Sequence, residues 1–200
     1  FRVRKFFLQI LAGVTNTSII KDPIGYVNVG TRIRIPFELS EADINCRVIL
    51  LTDFPVVKLF IETPDGKVID EANATSFGVT FDTTNNIKTS RFNLPVAFQT
   101  NKIHSGTWFA LLEIDEEQYK KILSGELEGT LVPGINQGAL VDLRSKGAKY
   151  CLSAHSFSNL RMNAAISQNG FIPGSTFYIR AVLTEYTLPV EKRATLKVEL

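Results

Sequence analysis

Histidine and cysteine are scarce in this chain, two of each among 200 residues, and that scarcity bounds its chemistry. A hydrolase triad needs a nucleophile, a histidine base and an orienting acid converging in space. Only His104 and His155 could supply the base. His104 precedes Ser105-Gly106-Thr107-Trp108, but the chain has no Gly-x-Ser-x-Gly elbow. Ser105-Gly106 reads instead as a turn before a strand whose Trp108 fills the core, and His155, at a strand end, as ordinary packing or surface exposure. Zinc requires Cys and His at short spacing, and here they are dispersed. No Gly-x-Gly-x-x-Gly or Walker loop occurs, so nucleotide binding finds no support. The expectation is a chain without catalytic residues and without an organic cofactor.

Long apolar runs and a surplus of one charge are missing too. No stretch of about 18 apolar residues exists, so no helical membrane span is expected. The net charge is +2 and the basic residues are scattered among 20 acidic ones, which argues against a nucleic-acid partner. Arg2, Arg4 and Lys5 form a local exception. They alternate with Phe1, Val3, Phe6 and Phe7, which reads as an edge strand with a charged outer side. The apolar stretch from Phe6 to Val14 contains Gln9 and is followed by Thr15, again suiting a strand. Cys46 and Cys151 both fall on predicted strands. They read as buried free thiols, with a disulfide between sheets as the other option. Asn16 and Asn73 each open an Asn-x-Ser/Thr sequon, which matters only in a eukaryotic secreted protein.

Period-two alternation dominates what is present. Arg32-Ile33-Arg34-Ile35-Pro36-Phe37-Glu38-Leu39 puts Ile33, Ile35, Phe37 and Leu39 on a core face and the arginines in solvent. Pro36 cannot donate to a ladder, so this strand belongs at an edge or on a bulge. Ser40 to Asp43 reads as a turn, and Cys46 to Leu51 as a strand buried on both faces. Val56–Glu62, the turn Thr63-Pro64-Asp65-Gly66 and the returning Lys67-Val68-Ile69 form a hairpin, Pro presetting φ and Gly freeing it.

Further strands are expected at Ser76–Phe81, Thr89–Leu94 and Thr107–Ile114, with turns at Asn85-Asn86 and Ser105-Gly106. Asp115–Leu123 reads as a helix capped by Asp115 and closed by Gly125. The stretch from Glu126 to Gly147, with Pro133 and several glycines, reads as a long irregular connection. Strands resume at Ala148–Phe157, Arg161–Ser167, Thr176–Thr184 and Ala194–Leu200. With one short helix, this spacing predicts an all-β antiparallel sandwich, jelly-roll or immunoglobulin-like. Gln168-Asn169-Gly170 marks the expected boundary between a sandwich domain at 1–167 and residues 168–200. Those last residues are a partial immunoglobulin-like module or strands completing the first sandwich.

Two binding chemistries remain open to such a scaffold. Calcium would need several oxygens in one loop. The candidates are Asp65, Asp70, Glu71 and Asn73 around the hairpin, or Asp82, Asn85 and Asn86 in the next loop. The same residues can serve the backbone of their turns instead. A carbohydrate would need exposed aromatics, and Tyr26, Phe54, Phe77, Phe98 and Tyr119 fall near predicted loops or strand ends.

Glu62-Thr63-Pro64-Asp65-Gly66, the strand pair ending at Leu94-Pro95, and Ser105-Gly106-Thr107-Trp108-Phe109-Ala110-Leu111-Leu112-Glu113 together resemble a known arrangement. It is similar to the β-sandwich that flanks catalytic or von Willebrand A domains in large exported proteins. Examples are the P-domains of subtilisin-like proteases and the sandwich regions of chloride-channel-regulator-like proteins. His155 to Met162, followed by Pro173-Gly174 and Leu188-Pro189-Val190, is similar to a strand leading into an immunoglobulin-like module. The resemblance implies a fold and an extracellular or cell-surface setting. P-domains often bind calcium, but no ligand set matches residue by residue. A start at Phe1 rather than Met fits a processed or truncated exported parent. The expected function is a structural or interaction module whose partners are other protein domains or chains, with association through an edge strand. A ligand-binding sandwich is the alternative.

Overall fold

The computed structural model describes residues 2–96, 104–124 and 137–190. In chain order the elements begin α1 (Arg2–Val14), β1 (Ser18–Lys21), β2 (Ile24–Val27), β3 (Arg32–Leu39), β4 (Asp43–Thr52), β5 (Val57–Glu62) and β6 (Val68–Ile69). They continue with α2 (Ala74–Phe77), β7 (Val79–Thr84), β8 (Ile87–Asn93), β9 (Gly106–Ile114), α3 (Glu116–Ser124) and α4 (Gln137–Lys146). Last come β10 (Ala148–Ser158), β11 (Leu160–Gln168), β12 (Phe177–Glu185) and β13 (Leu188–Pro189). The chain divides into two compact units, Phe1–Phe157 and Ser158–Leu200. The fold is mostly antiparallel sheet and sandwich-like, as the alternation predicts.

The first unit holds two sheets. One has the order β3-β9-β5-β6; the other runs β1-β10-β4-β8-β7, with β2 also pairing β10. Period two aims their apolar faces at one core. Ile35, Phe37 and Leu39 of β3, Leu59 and Ile61 of β5, and Trp108, Ala110 and Leu112 of β9 meet Val48 and Leu50 of β4, Phe92 of β8 and Leu152 of β10. Trp108 and Phe92 stack between the sheets, ring centroids 5.0 Å apart and planes inclined 20°. The Trp108 indole N–H donates to the His104 carbonyl at 2.9 Å, which satisfies its one polar atom in the core. Pro36 lies opposite Phe109 on β3, an edge strand of its sheet among the described residues, where a proline is tolerated.

Outside β3 the arginines do more than face water. Arg34 grips Glu62 on β5 with two hydrogen bonds, at 3.0 and 2.6 Å, and lies over the Phe109 ring of the intervening β9. Arg32 donates through Nε and Nη2 to one Glu113 oxygen, Oε2, at 2.8 and 2.6 Å. The hairpin at Thr63–Gly66 forms as predicted, with Gly66 at φ 82° and Ile61 facing Ile69 across it. Asp115 caps α3 by accepting the Glu117 and Gln118 amides. Cys46 and Cys151 are both free and buried, and they occupy opposite faces of one sheet. Cys46 joins the inter-sheet core, while Cys151 joins Ile49 and Leu51 on the outside, under Leu8 of α1. Burial raises the pKa of both thiols, leaving them protonated small apolar groups.

The structure corrects the reading of three segments. Arg2–Val14 is a helix, not an edge strand. The two-residue alternation breaks at Phe6-Phe7 and Ile10-Leu11, where a spacing of three and four continues. Asn16 at φ 55° and the Thr15 amide, bonded to the Leu11 carbonyl at 2.9 Å, end it. The expected strand start at Ser76 is the short helix α2, after which Gly78 turns left-handed at φ 68° and releases β7. Gln137–Lys146, taken for irregular chain, is the helix α4. Leu143 buries against the core, and Asp142 and Lys146 bridge at 2.8 Å one turn apart. Residues 125–136, Phe98 and the strand expected at Ala194–Leu200 lie outside the described residues.

In the second unit β11 pairs with β12 along its whole length, from Leu160↔Glu185 to Gln168↔Phe177, and β13 adds a short third strand. Gln168-Asn169-Gly170, the expected boundary, opens the connection between β11 and β12, while the two units divide at Phe157/Ser158.

Candidate functional site

β8 carries Phe92, Ser90 and Lys88 on one side, since a strand repeats every two residues. Phe92 and Ser90 are buried in the sandwich, so the same side aims Lys88 inward. Its cross-strand neighbour is the fully buried Leu50. Beside Lys88 lies a cavity of about 700 Å³, which also takes in outward-facing positions of β5 and β9. Pro55 and Val56 from the β4–β5 connection, Lys58 and Phe60 of β5, and Asp70–Ala72 before α2 line it. Leu59, Lys88, Glu113, Asp115 and Gln118 also line it.

Burial lowers the Lys88 pKa below the ordinary lysine range and Lys58 adds to this, while Glu71 and Asp115 act the other way. Most of the other charges are already engaged. Lys58 meets Asp115 at 3.1 Å. Burial pushes the Asp115 pKa up, but the hydrogen bonds from Lys58 and from the Gln118 and Glu117 amides outweigh it and bring the value down. Glu113 is held by Arg32. Asp70 accepts the Ala72 and Asn73 amides at 3.0 and 2.9 Å, while its own amide donates to the Asn73 side chain. Among the described residues no carboxylate forms a salt bridge with Lys88. The groups left to meet a guest are therefore Lys88, Glu71 and Gln118, beside the ring of Phe60.

Of the carboxylates considered for calcium, the structure brings Asp70 and Glu71 to this cavity and leaves Asp65 and Asp82 elsewhere. Asp65 accepts the Thr63 hydroxyl and meets Lys67 at 3.1 Å. The Thr63 bond is the main influence lowering its pKa, with Lys67 helping and burial opposing. Asp82 meets Arg91 at 2.8 Å. Asn73 bonds the Val68 carbonyl, Asn86 bonds the Asp53 carbonyl, and Asn85 takes the left-handed turn conformation at φ 52°. These side chains serve their turns. Among the described residues no group of three or more Cys, His, Asp or Glu side chains gathers where it could hold a metal ion.

The histidines part company. His155 Nε2 lies 2.8 Å from Ser153 Oγ, a nucleophile–base spacing, but both residues are buried and their polar atoms do not face solvent. Burial, and then Arg47, lower the His155 pKa, with Asp22 opposing, so the ring is neutral at physiological pH. His104 contributes its carbonyl to Trp108. Of the aromatics considered for sugar binding, Phe54 is fully buried, Phe77 and Tyr119 pack on the core, and Tyr26 stays exposed.

No protein-family model matches the chain, and no curated protein does. Lys88 is the cavity residue that is partly desolvated and has no salt-bridged carboxylate among the described residues. Sequence reasoning passed over it because a single lysine in an alternating run resembles a solvated position. The signal was its parity with Phe92.

Lys88→Met removes a partly desolvated charge beside the buried Leu50, and a rise of a few degrees in melting temperature at pH 7 is expected. Because burial lowers the folded-state pKa, the cost of the ammonium is present at neutral pH. It fades as pH rises through the folded value toward about 10.4, the unfolded one. Melting curves of both proteins from pH 7 to 11 check this; a gain that persisted undiminished at pH 11 would exclude desolvation as its source.

Proposed function

We propose that the chain is a non-catalytic interaction module of a larger exported protein, with other protein domains or chains as its partners. The observation that carries this reading is the two-sided hairpin β11–β12. Its register places Leu160, Met162, Ala164 and Ile166 on one face with Phe177, Ile179, Ala181 and Leu183. The opposite face carries Arg161, Asn163 and Ser167 with Tyr178, Arg180 and Thr184. The apolar face is open: Ile166 is 70% exposed, Met162 59% and Phe177 51%. A sheet patterned this way is one layer of a two-layer packing, and isolated hairpins are marginal in water. A second sheet laid on this face supplies the missing layer, and β11, an edge strand of its sheet among the described residues, is the place for strand addition.

Hydrogen exchange over Leu160–Glu185 tests the reading. The hairpin amides are expected to exchange fast in the isolated chain and to be protected within the multidomain protein. Equal exchange in the two settings would remove the interaction role. Turnover of an ester or glycoside panel that disappears in His155→Ala would make the chain an enzyme instead.

A second reading, a ligand-binding sandwich, is favoured by the cavity. A ring at Phe60 beside hydrogen-bonding groups on Glu71, Gln118 and Lys88 suits a carbohydrate better than calcium, whose candidate carboxylates are dispersed. Sugar titrations that register with the parent protein and fail with Lys88→Met would favour it.

A further inference from the structure

α1 shows the solvent its apolar side. Val3 is 69% exposed, Phe6 61%, Phe7 63%, Ile10 44% and Val14 78%. With about 100° between successive residues, these positions fall on one stripe along the helix. The other side is the one anchored to the sandwich. Ala12 is buried, Leu8 packs on Ile49, Leu51 and Cys151, and Lys5 pairs with Asp22 at 2.8 Å and also donates to its carbonyl. The stripe is therefore held outward by the packing of the opposite side. Phe6 and Phe7 meet edge to face, 6.5 Å between centroids.

Charge indicates what the stripe fits. Residues 1–14 contain Arg2, Arg4 and Lys5 and no acidic residue. The helical positions of Arg2 and Arg4 lie about 100° to either side of the stripe, and that of Lys5 lies behind it. Phenylalanines and aliphatics on one face, flanked by arginines, form the pattern of a helix that lies in a membrane interface. In that setting the rings enter the acyl boundary and the guanidinium groups meet anionic headgroups. A protein groove would need acids to match, and a second copy of the same helix would bring like charges together. In the helix the positions of Arg2 and Arg4 flank the aromatic stripe, whereas Lys5 is engaged by Asp22 on the anchored side.

We propose that α1 is an interfacial anchor that lays the first unit on an anionic lipid bilayer, with Val3, Phe6, Phe7, Ile10 and Val14 in contact with the acyl chains. The helix lies in the plane of the interface and does not span it.

Vesicle flotation tests this with the whole chain, using phosphatidylcholine vesicles with and without phosphatidylglycerol. The chain is expected to float with the anionic vesicles, less so at raised salt, and far more weakly with neutral ones. Phe6→Glu combined with Phe7→Glu is expected to reduce binding roughly tenfold or more, since two charges replace inserted rings. Gln9→Glu, off the stripe, is expected to bind as the parent protein does apart from a small charge effect. Should the double variant fail to fold, Val14→Asp at the far end of the stripe carries the same test. Failure to float with anionic vesicles, or binding undiminished in the stripe variants, overturns the proposal. So does a dimer in sedimentation equilibrium that the stripe variants dissolve, which would give the face to a second copy.

Discussion

Trp108→Ala is expected to destabilise the first unit by about 3–5 kcal/mol, the usual cost of deleting a buried tryptophan. For a chain of this size that corresponds to a fall in melting temperature of roughly 6–20 °C. Three losses combine at this residue. The ring is fully buried on an inner strand of its sheet, it stacks on Phe92 of the opposing sheet, and its N–H satisfies the His104 carbonyl. Removing it leaves a void where the two layers meet and an unsatisfied carbonyl beside it. Trp108→Phe keeps an aromatic ring against Phe92 and loses the hydrogen bond, so it is expected to cost distinctly less. Urea unfolding followed by far-UV circular dichroism measures both. A loss below about 1 kcal/mol for Trp108→Ala would mean that the sheets are not packed around this residue.

The second large effect is expected at Gly147, which joins α4 to β10. Its φ is +86°, and a Cβ built there would lie 2.3 Å from the Val27 carbonyl oxygen and 2.4 Å from Asn28 Oδ1. Val27 is itself fully buried, so the strand carrying that carbonyl has little room to withdraw. Gly147→Ala therefore combines the cost of a left-handed alanine with forced displacement of main chain, about 2–5 kcal/mol together. Gly66→Ala separates the two contributions. Gly66 has nearly the same φ, +82°, but nothing lies within 4 Å of its added Cβ. It is expected to cost only the conformational share, about 1–2 kcal/mol. Parallel urea titrations decide the matter, and equal losses at the two sites would rule out the close approach of Val27.

Where local chemistry and tertiary environment agree, the elements are legible in the sequence. Pro64 and Gly66 set a turn whatever surrounds them, and Asp115 followed by acidic residues caps a helix in any context. The alternation of β3 contained both its buried face and its place at an edge. Other segments were decided by packing that no short window contains. Residues 1–7 satisfy period two nearly as well as the helical repeat, and only the longer run to Val14 distinguishes them. In α4, Gly138 and a mixed pattern conceal a helix that is held by Leu143 against the core and stopped by Gly147. The cavity was half visible. Asp70 and Glu71 were singled out for their oxygens, yet their relation to Lys88 depends on the meeting of two sheets far apart in sequence.

The opposite placement of Cys46 and Cys151 gives the chain two natural reporters with different thresholds. Cys151 is covered in part by a single helix through Leu8, whereas Cys46 is enclosed by both sheets. A thiol reagent reaching Cys151 would register the lifting of α1, a local opening that leaves the sandwich intact. The same reagent reaching Cys46 would register loss of the sandwich itself. The two sulfur atoms thus distinguish departure of the helix from collapse of the fold, within one molecule and without an added label.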